Sequence, residues 1–250
     1  MADRLFEIGD GFWTIKGSFK VAPLVDIGTH ASLVRRADGS FVLLDAYTLT
    51  GDVERKVMQL TDGGQAVSAI ANLHPFHTVH VKRSAAQFPH AKLYGSSRHV
   101  EKAPGLTWEP ERVETAEFAA LFAPDLEFTV PRGVDFICAD ERKHFSSVLA
   151  FHPASRTLHV DDTLMWMSVP IVGGLVFHPT LKAVLEKRPG AAADFRAWAE
   201  ELITRCESVD HLLVAHGPKM VPRGHPIAPM VRTALGKVER VLAAHEKRHG

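Results

Sequence analysis

The sequence predicts an α/β chain of two halves, each running from sheet to helix and pressed sheet against sheet with the helices outside. Three observations carry the prediction. Strand-like runs alternate with helical periodicity between residues 11 and 96, strands return from residue 126, and two long amphipathic helices lie at 191–206 and 229–247. With 250 residues, 46% of them hydrophobic, the chain can bury a large core as one domain over 1–250, with a lid expected at 164–190.

The elements follow in order. "GFWTIKGSF", "HASLVRR" and "FVLLDAY" read as strands, the last two joined as a hairpin by Asp38-Gly39, because an Asp-Gly pair tolerates the positive φ of a tight turn. "DVERKVMQL" (52–60) repeats apolar residues at helical spacing, and "DGG" stops it. "AVSAIANL" (66–73) is a buried strand, followed by a His-rich turn, a helix through "VHVKRSAAQF" and a short strand in "AKLYGS". Residues 100–118 are polar and contain prolines, which predicts a connection with at most short helices. "LEFTV", "VDFICAD", "SSVLAFH" and "TLHVD" are further strands, the lid falls in "MWMSVPIVGGLVFHPTLKAVLEKRPG", and "HLLVAHG" is a strand between the two long helices.

Charge narrows the function classes. Lysine plus arginine (29) balances aspartate plus glutamate (29), so no long-range field draws the protein to nucleic acid or to an anionic membrane. The charged start "MADRLFEIGDGFW" and the lack of an eighteen-residue apolar run predict a cytoplasmic protein without a membrane span. Cys138 and Cys206 have no metal-knuckle or redox spacing and read as buried thiols. A G-x-S-x-G elbow and a phosphate-binding glycine fingerprint are both missing.

Histidine stands out, at 15 residues. "ANLHPFHTVHV" (71–81) spaces His74, His77 and His80 three apart at the end of a predicted strand. Pro75 biases His74 toward extended backbone, so His74 ends the strand and the turn begins after it, with Thr78 placed to cap the next helix. His144 precedes one strand, Asp161 and Asp162 close another, and His216 closes a third. Strand ends are where ligands are offered, and imidazoles converging with a carboxylate suit a divalent ion that activates water. Asp45 is read as structural, near the floor of such a site. His30 and His99 are read as ordinary hydrogen-bonded histidines, with orienting a ligand as the alternative, and His159 is read as strand filler.

The order of these features resembles the metallo-β-lactamase fold superfamily, over roughly residues 5 to 220. "DGFWTIKG" looks like its opening strands, "DGSFVLLDAY" like its early hairpin ending in an aspartate, here Asp45, and "ANLHPFHTVH" stands where the family carries H-x-H-x-D-H. His144, "LHVDDTL" and "LLVAHG" resemble the later elements that bring a histidine, the bridging aspartate and the last histidine. The resemblance implies a four-layer αββα sandwich and a metal-dependent hydrolase of a small molecule. The central motif departs from the pattern: with His74 on the first histidine, Phe76, Thr78 and Val79 fall on the other three ligands. A two-metal site is therefore not expected, and one divalent ion, zinc ahead of iron, is. The expected ligands are His74, His77, His80, His144, Asp162 and His216, with Asp162 also the residue that orients or deprotonates water. "D-T-L" fits the family's bridging position better at Asp162 than at Asp161, and strand alternation should send only one of the two into the site. The rival readings are a binding protein on the same fold that has lost its metal, and an oxidoreductase with a single iron. A homodimer through "IVGGLVF" is expected if that stretch is exposed.

Overall fold

The computed structural model describes residues 3–22, 25–167, 174–216 and 226–250. The chain opens with β1 (Arg4–Gly9) and β2 (Phe12–Gly17), a small pair β3 (Lys20–Ala22) and β4 (Val25–Asp26), then β5 (Thr29–Arg35) and β6 (Phe41–Leu44). α1 (Gly51–Leu60), β7 (Val67–Ala71), α2 (Val81–Gln87), β8 (Lys92–Gly95), α3 (Ser97–Lys102) and β9 (Trp108–Arg112) complete the first half. The second half runs through α4 (Ala116–Phe122), β10 (Glu127–Thr129), β11 (Leu149–His152), β12 (Thr157–Val160), β13 (Leu164–Met167) and β14 (Gly174–Phe177). α5 (Leu181–Val184), α6 (Ala191–Arg205), β15 (His211–Val214) and α7 (Ile227–His249) follow.

One sheet has the order β1-β2-β5-β6-β7-β8-β9, the other β10-β11-β12-β15. The larger is antiparallel up to β6 and parallel from there, and β15 joins the smaller sheet parallel to β12. Alternation along the strands sorts side chains into three apolar layers. On β6, Phe41 and Leu43 point outward to the layer shared with Val53, Val57 and Phe88, while Val42 and Leu44 point inward. On β11 and the residue before it, Val148 and Ala150 point inward, while Leu149 and Phe151 join the outer layer with Phe195, Trp198 and Val231 of α6 and α7. Helix, sheet, sheet, helix is the resulting stack, the four-layer αββα sandwich that the sequence led us to expect.

The same alternation decides which polar groups enter the middle. Trp13 and Ile15 of β2 face outward, so Thr14 and Lys16 face the second sheet. Leu158 and Val160 of β12 face α6 and α7, so His159 faces the first sheet and is fully buried.

Several expectations change. Residues 100–118 hold the edge strand β9, hidden in the sequence by Pro110; proline lacks a backbone donor but is tolerated on an edge. "VDFICAD" is not a strand: Val134 makes a single bridge to Leu185 and the rest is irregular. In the lid region, residues 168–173 lie outside the described residues. Its flanks, β13 and β14, pair with each other and bury Leu164, Leu175 and Phe177 in the outer core. The described part of the stretch expected as a dimer contact is thus largely inside. Cys206 is buried, and burial pushes its thiol up to about 12. Among the described residues no helix is long and apolar enough to cross a membrane.

Candidate metal centre

Both aspartates sit just beyond the end of β12, where alternation no longer separates them, and both are almost wholly buried. Asp162 is the hub. Its Oδ2 lies 3.2 Å from His74 Nε2, 3.5 Å from His77 Nε2 and 3.7 Å from His144 Nε2, and its Oδ1 lies 3.0 Å from His216 Nε2. Four elements converge on it: the end of β7, the turn after it, the segment before β11 and the end of β15. His74 and His77 stack at 4.0 Å, and His144 stands edge-on to His74 at 6.1 Å.

These contacts are close but are not hydrogen bonds. His74 Nε2 and both oxygens of Asp162 are buried with no hydrogen-bond partner among the described residues. Donor atoms held at about 2.0–2.2 Å around one tetrahedral ion are roughly 3.3–3.6 Å apart; the distances from the imidazoles to Asp162 bracket that range, and His74, His77 and Asp162 also lie within 4.8 Å of one another.

Tautomers sharpen the picture. His144 Nδ1 meets the carbonyl of Glu141 at 3.0 Å, and His216 Nδ1 meets that of Gly28 at 2.9 Å. A carbonyl only accepts, so each Nδ1 carries the proton and, in the neutral ring, each Nε2 aims a lone pair at an ionised carboxylate. Lone pair against carboxylate is repulsive unless a cation, proton or metal, lies between. Burial draws His216 down, but Asp162 outweighs it and raises this imidazole, so the proton is favoured there when nothing else fills the role. Against the cost of burial, the His74 and His216 imidazoles hold Asp162 well below the usual carboxylate range. His74 has the opposite tautomer, because the backbone N–H of Phe76 donates to its Nδ1 at 3.1 Å. Ligation through His74 Nε2 requires that bond to be given up.

His80 does not join the group, which corrects the ligand set expected from the sequence. It is the N-cap residue of α2, a place expected for Thr78, and its Nδ1 faces Thr48 Oγ1 at 2.9 Å beside the Tyr47 ring. His178 lies against His144, ring centres 5.5 Å apart, and bonds Thr180.

Asp161 turns the other way, into a second buried cluster. Its Oδ1 is 3.3 Å from His30 Nε2 and 3.6 Å from His77 Nδ1. His30 stacks on His159 at 4.3 Å, whose Nε2 is 2.9 Å from Asp45 Oδ2 and whose Nδ1 is 2.9 Å from Ser32 Oγ. Asp45 also accepts the N–H of Leu73 at 2.8 Å. Although burial works against it, the bond with His159 holds Asp45 down to about 2. Burial, with Asp45 and Asp162 alongside, pushes Asp161 well above the ordinary range. Sequence reasoning missed His159 and Lys16; the signal was there, as polar residues at alternate positions of apolar strands. Two His/Asp groups thus have ligand atoms near enough to share an ion: His74, His77 and Asp162, and His30, His159 and Asp161.

Around the site, Ser96 N–H donates to His99 Nδ1 at 3.1 Å, and burial pulls that imidazole to about 3. The unfolded chain, with histidines near 6.5, therefore binds more protons than the folded one below that pH. The stability that neutral His99 supports is complete above pH 6.5 and is lost as pH falls toward 3. His74, drawn by burial to about 4, acts in the same sense. Thermal melts of metal-free protein should fall steadily between pH 7 and 4.5, and His99→Gln should flatten the slope. A wild-type melting temperature independent of pH over that range would contradict this.

Comparisons with known proteins bear on the fold. No family model matches the chain, and no curated protein does. Solved structures do match. The metallo-β-lactamase TMB-1 superposes with a TM-score of 0.65 at 15% identity, over 96% of this chain and 98% of that one. FIM-1 from Pseudomonas aeruginosa, a metallo-β-lactamase in its mono-zinc form, gives 0.63 at 12% identity, over 95% and 96%. An enzyme of the same class from Erythrobacter litoralis gives 0.63 at 14%, over 94% and 96%. At these identities the likeness is one of fold.

Proposed function

On the metallo-β-lactamase fold that this chain carries, we propose a metal-dependent hydrolase of a small molecule, with one divalent ion held by His74, His77, His144, His216 and Asp162. The observation that carries it is the pair of imidazoles, His144 and His216, that spend Nδ1–H on carbonyls and turn their Nε2 lone pairs on one buried carboxylate. The donor set is all nitrogen and oxygen, which zinc accepts readily and iron also tolerates. A divalent ion there supplies Lewis acidity and makes water nucleophilic near neutral pH.

The chain's own groups do the rest. His144 and His77 are the partly exposed members and face the side from which substrate arrives. Asp162, kept ionised by its imidazoles, orients water or accepts its proton. Thr78 and Val79 replace the motif aspartate and histidine that would help hold a second ion, which favours a mononuclear site. Esters, lactones and phosphoesters are the substrates to screen, and turnover should vanish with a chelator and return with zinc.

One observation favours a second reading, a metal-free binding protein. The bond from Phe76 N–H to His74 Nδ1 leaves the ring proton on Nε2, 3.2 Å from Asp162, where a ligand would need a lone pair. That reading expects the melting temperature to ignore chelators, whereas an ion that binds only the folded state raises it.

A further inference from the structure

The second half of α7 divides its charges by face. Glu239 and Glu246 turn toward α6, where Arg196 bonds both, and Arg188, in the loop before α6, takes up Glu186 and Asp194. Those four carboxylates are spent on two arginines. Arg240, His245, Arg248 and His249 fall on the other face of α7, and with Lys182 of α5 and Lys187 they line a cleft of about 260 Å³. Its floor is apolar, with Leu185 buried and Val241 packed against the outer core. Among the described residues, Lys182, Lys187, Arg240 and Arg248 make no ion pair. Asp135 lies within electrostatic reach of Lys187 without pairing with it.

Crowding like charges costs free energy unless something offsets it. Desolvation and the nearby His245, Arg248 and Lys187 hold the His249 imidazole below its usual value, so that group already feels the field of the cleft. His245 Nε2 donates to the carbonyl of Glu186 at 2.9 Å, and its ring centre lies 4.5 Å from that of His249. The helix macrodipole explains part of the pattern, because Lys247, Arg248 and His249 stand in the last turn, where cations suit free carbonyls. It does not explain Arg240, about two turns earlier, or Lys182 and Lys187 on the facing segment. The chain as a whole balances 29 basic against 29 acidic residues, so the excess is local.

Shape selects the occupant. A membrane or a duplex presents a wide face, whereas a concave cleft of about 260 Å³, near the lower end of small-molecule sites, admits a compact ligand. Guanidinium forks beside lysine ammoniums suit phosphate oxygens. We propose that this cleft binds a small organic phosphate, its anionic group held by Lys182, Lys187, Arg240 and Arg248 and its organic body laid on Leu185 and Val241. None of these residues belongs to the His/Asp cluster, so the proposal stands whether or not that centre holds a metal.

The test uses the full chain, freed of metal and desalted, with phenylphosphonate as a probe that no hydrolase can cleave, buffered above its second ionisation. Calorimetry should give saturable binding that weakens as salt screens the cleft. Amide NMR shifts should fall on residues 182–187 and 240–249. Inorganic phosphate, which has no body for the apolar floor, should bind more weakly. Arg240→Glu/Arg248→Glu changes only exposed side chains and should lose at least about tenfold in affinity. Should that variant not fold, Lys182→Ala/Lys187→Ala carries the same direction of effect. No saturable binding, shifts confined to another part of the chain, or equal affinity in wild type and both variants would overturn the proposal. Inorganic phosphate binding as tightly as the phosphonate would overturn the organic class of the ligand.

Discussion

Asp162→Asn should bind zinc at least about a hundredfold more weakly than wild type, beyond what loss of an outer partner costs, and hydrolysis should fall with it. The reason is geometric. Asp162 is the one group that all four imidazoles face, so its charge is what makes their arrangement a cation site. Asparagine keeps the shape and removes the charge, so the metal-free protein should melt close to wild type while the zinc-dependent rise disappears. His80→Ala is the control: its ring serves Thr48, and its removal should cost about 1 kcal/mol of stability with zinc binding intact. Equal zinc affinity in Asp162→Asn and wild type would contradict the assignment of the hub.

Gly133→Ala should destabilise the fold by about 3 kcal/mol or more, a fall in melting temperature of about 6–12 °C for a chain of this size. Gly133 has φ +71°, and a Cβ there would stand 2.0 Å from the carbonyl oxygen of Ala191 in the first turn of α6. The obstacle is backbone, which cannot swing away, and Glu186 N–H pins the Gly133 carbonyl at 3.1 Å. Gly39→Ala separates strain from collision. Its φ is +86° but nothing lies within 4 Å, so it should cost only about 1 kcal/mol. Equal losses in the two variants would mean that conformation alone matters at residue 133.

Much of this was legible in the chain, and what was not has identifiable causes. The buried strand over 66–73 and the two long helices announce themselves through periodicity, because one face of each must be apolar to pack. The convergence of His74, His77, His144 and His216 on an aspartate could be anticipated from strand ends, since topology brings those ends to one edge. His80 could not be excluded that way: spacing of three looks the same whether a side chain faces the ion or Thr48, and only the entry angle of α2 decides. Asp162 is the aspartate that the four imidazoles face, but alternation was the wrong warrant for choosing it over Asp161, because the strand ends at Val160 before either residue. β9 was hidden because its proline argues against a strand in the middle of a sheet and says nothing about an edge. His159 and Lys16 were overlooked for a different reason. Polar residues inside apolar strands look like surface when one face is assumed wet, and here both faces of both sheets are covered.

The account stands on a single metal held by His74, His77, His144, His216 and Asp162. The most direct measurement is elemental analysis of the untagged protein, purified without chelator and reconstituted with zinc, beside a His144→Ala/His216→Ala variant confirmed as folded. One equivalent of metal in the wild type and none in the variant is the result expected. No metal in either protein, or the same content in both, would contradict it.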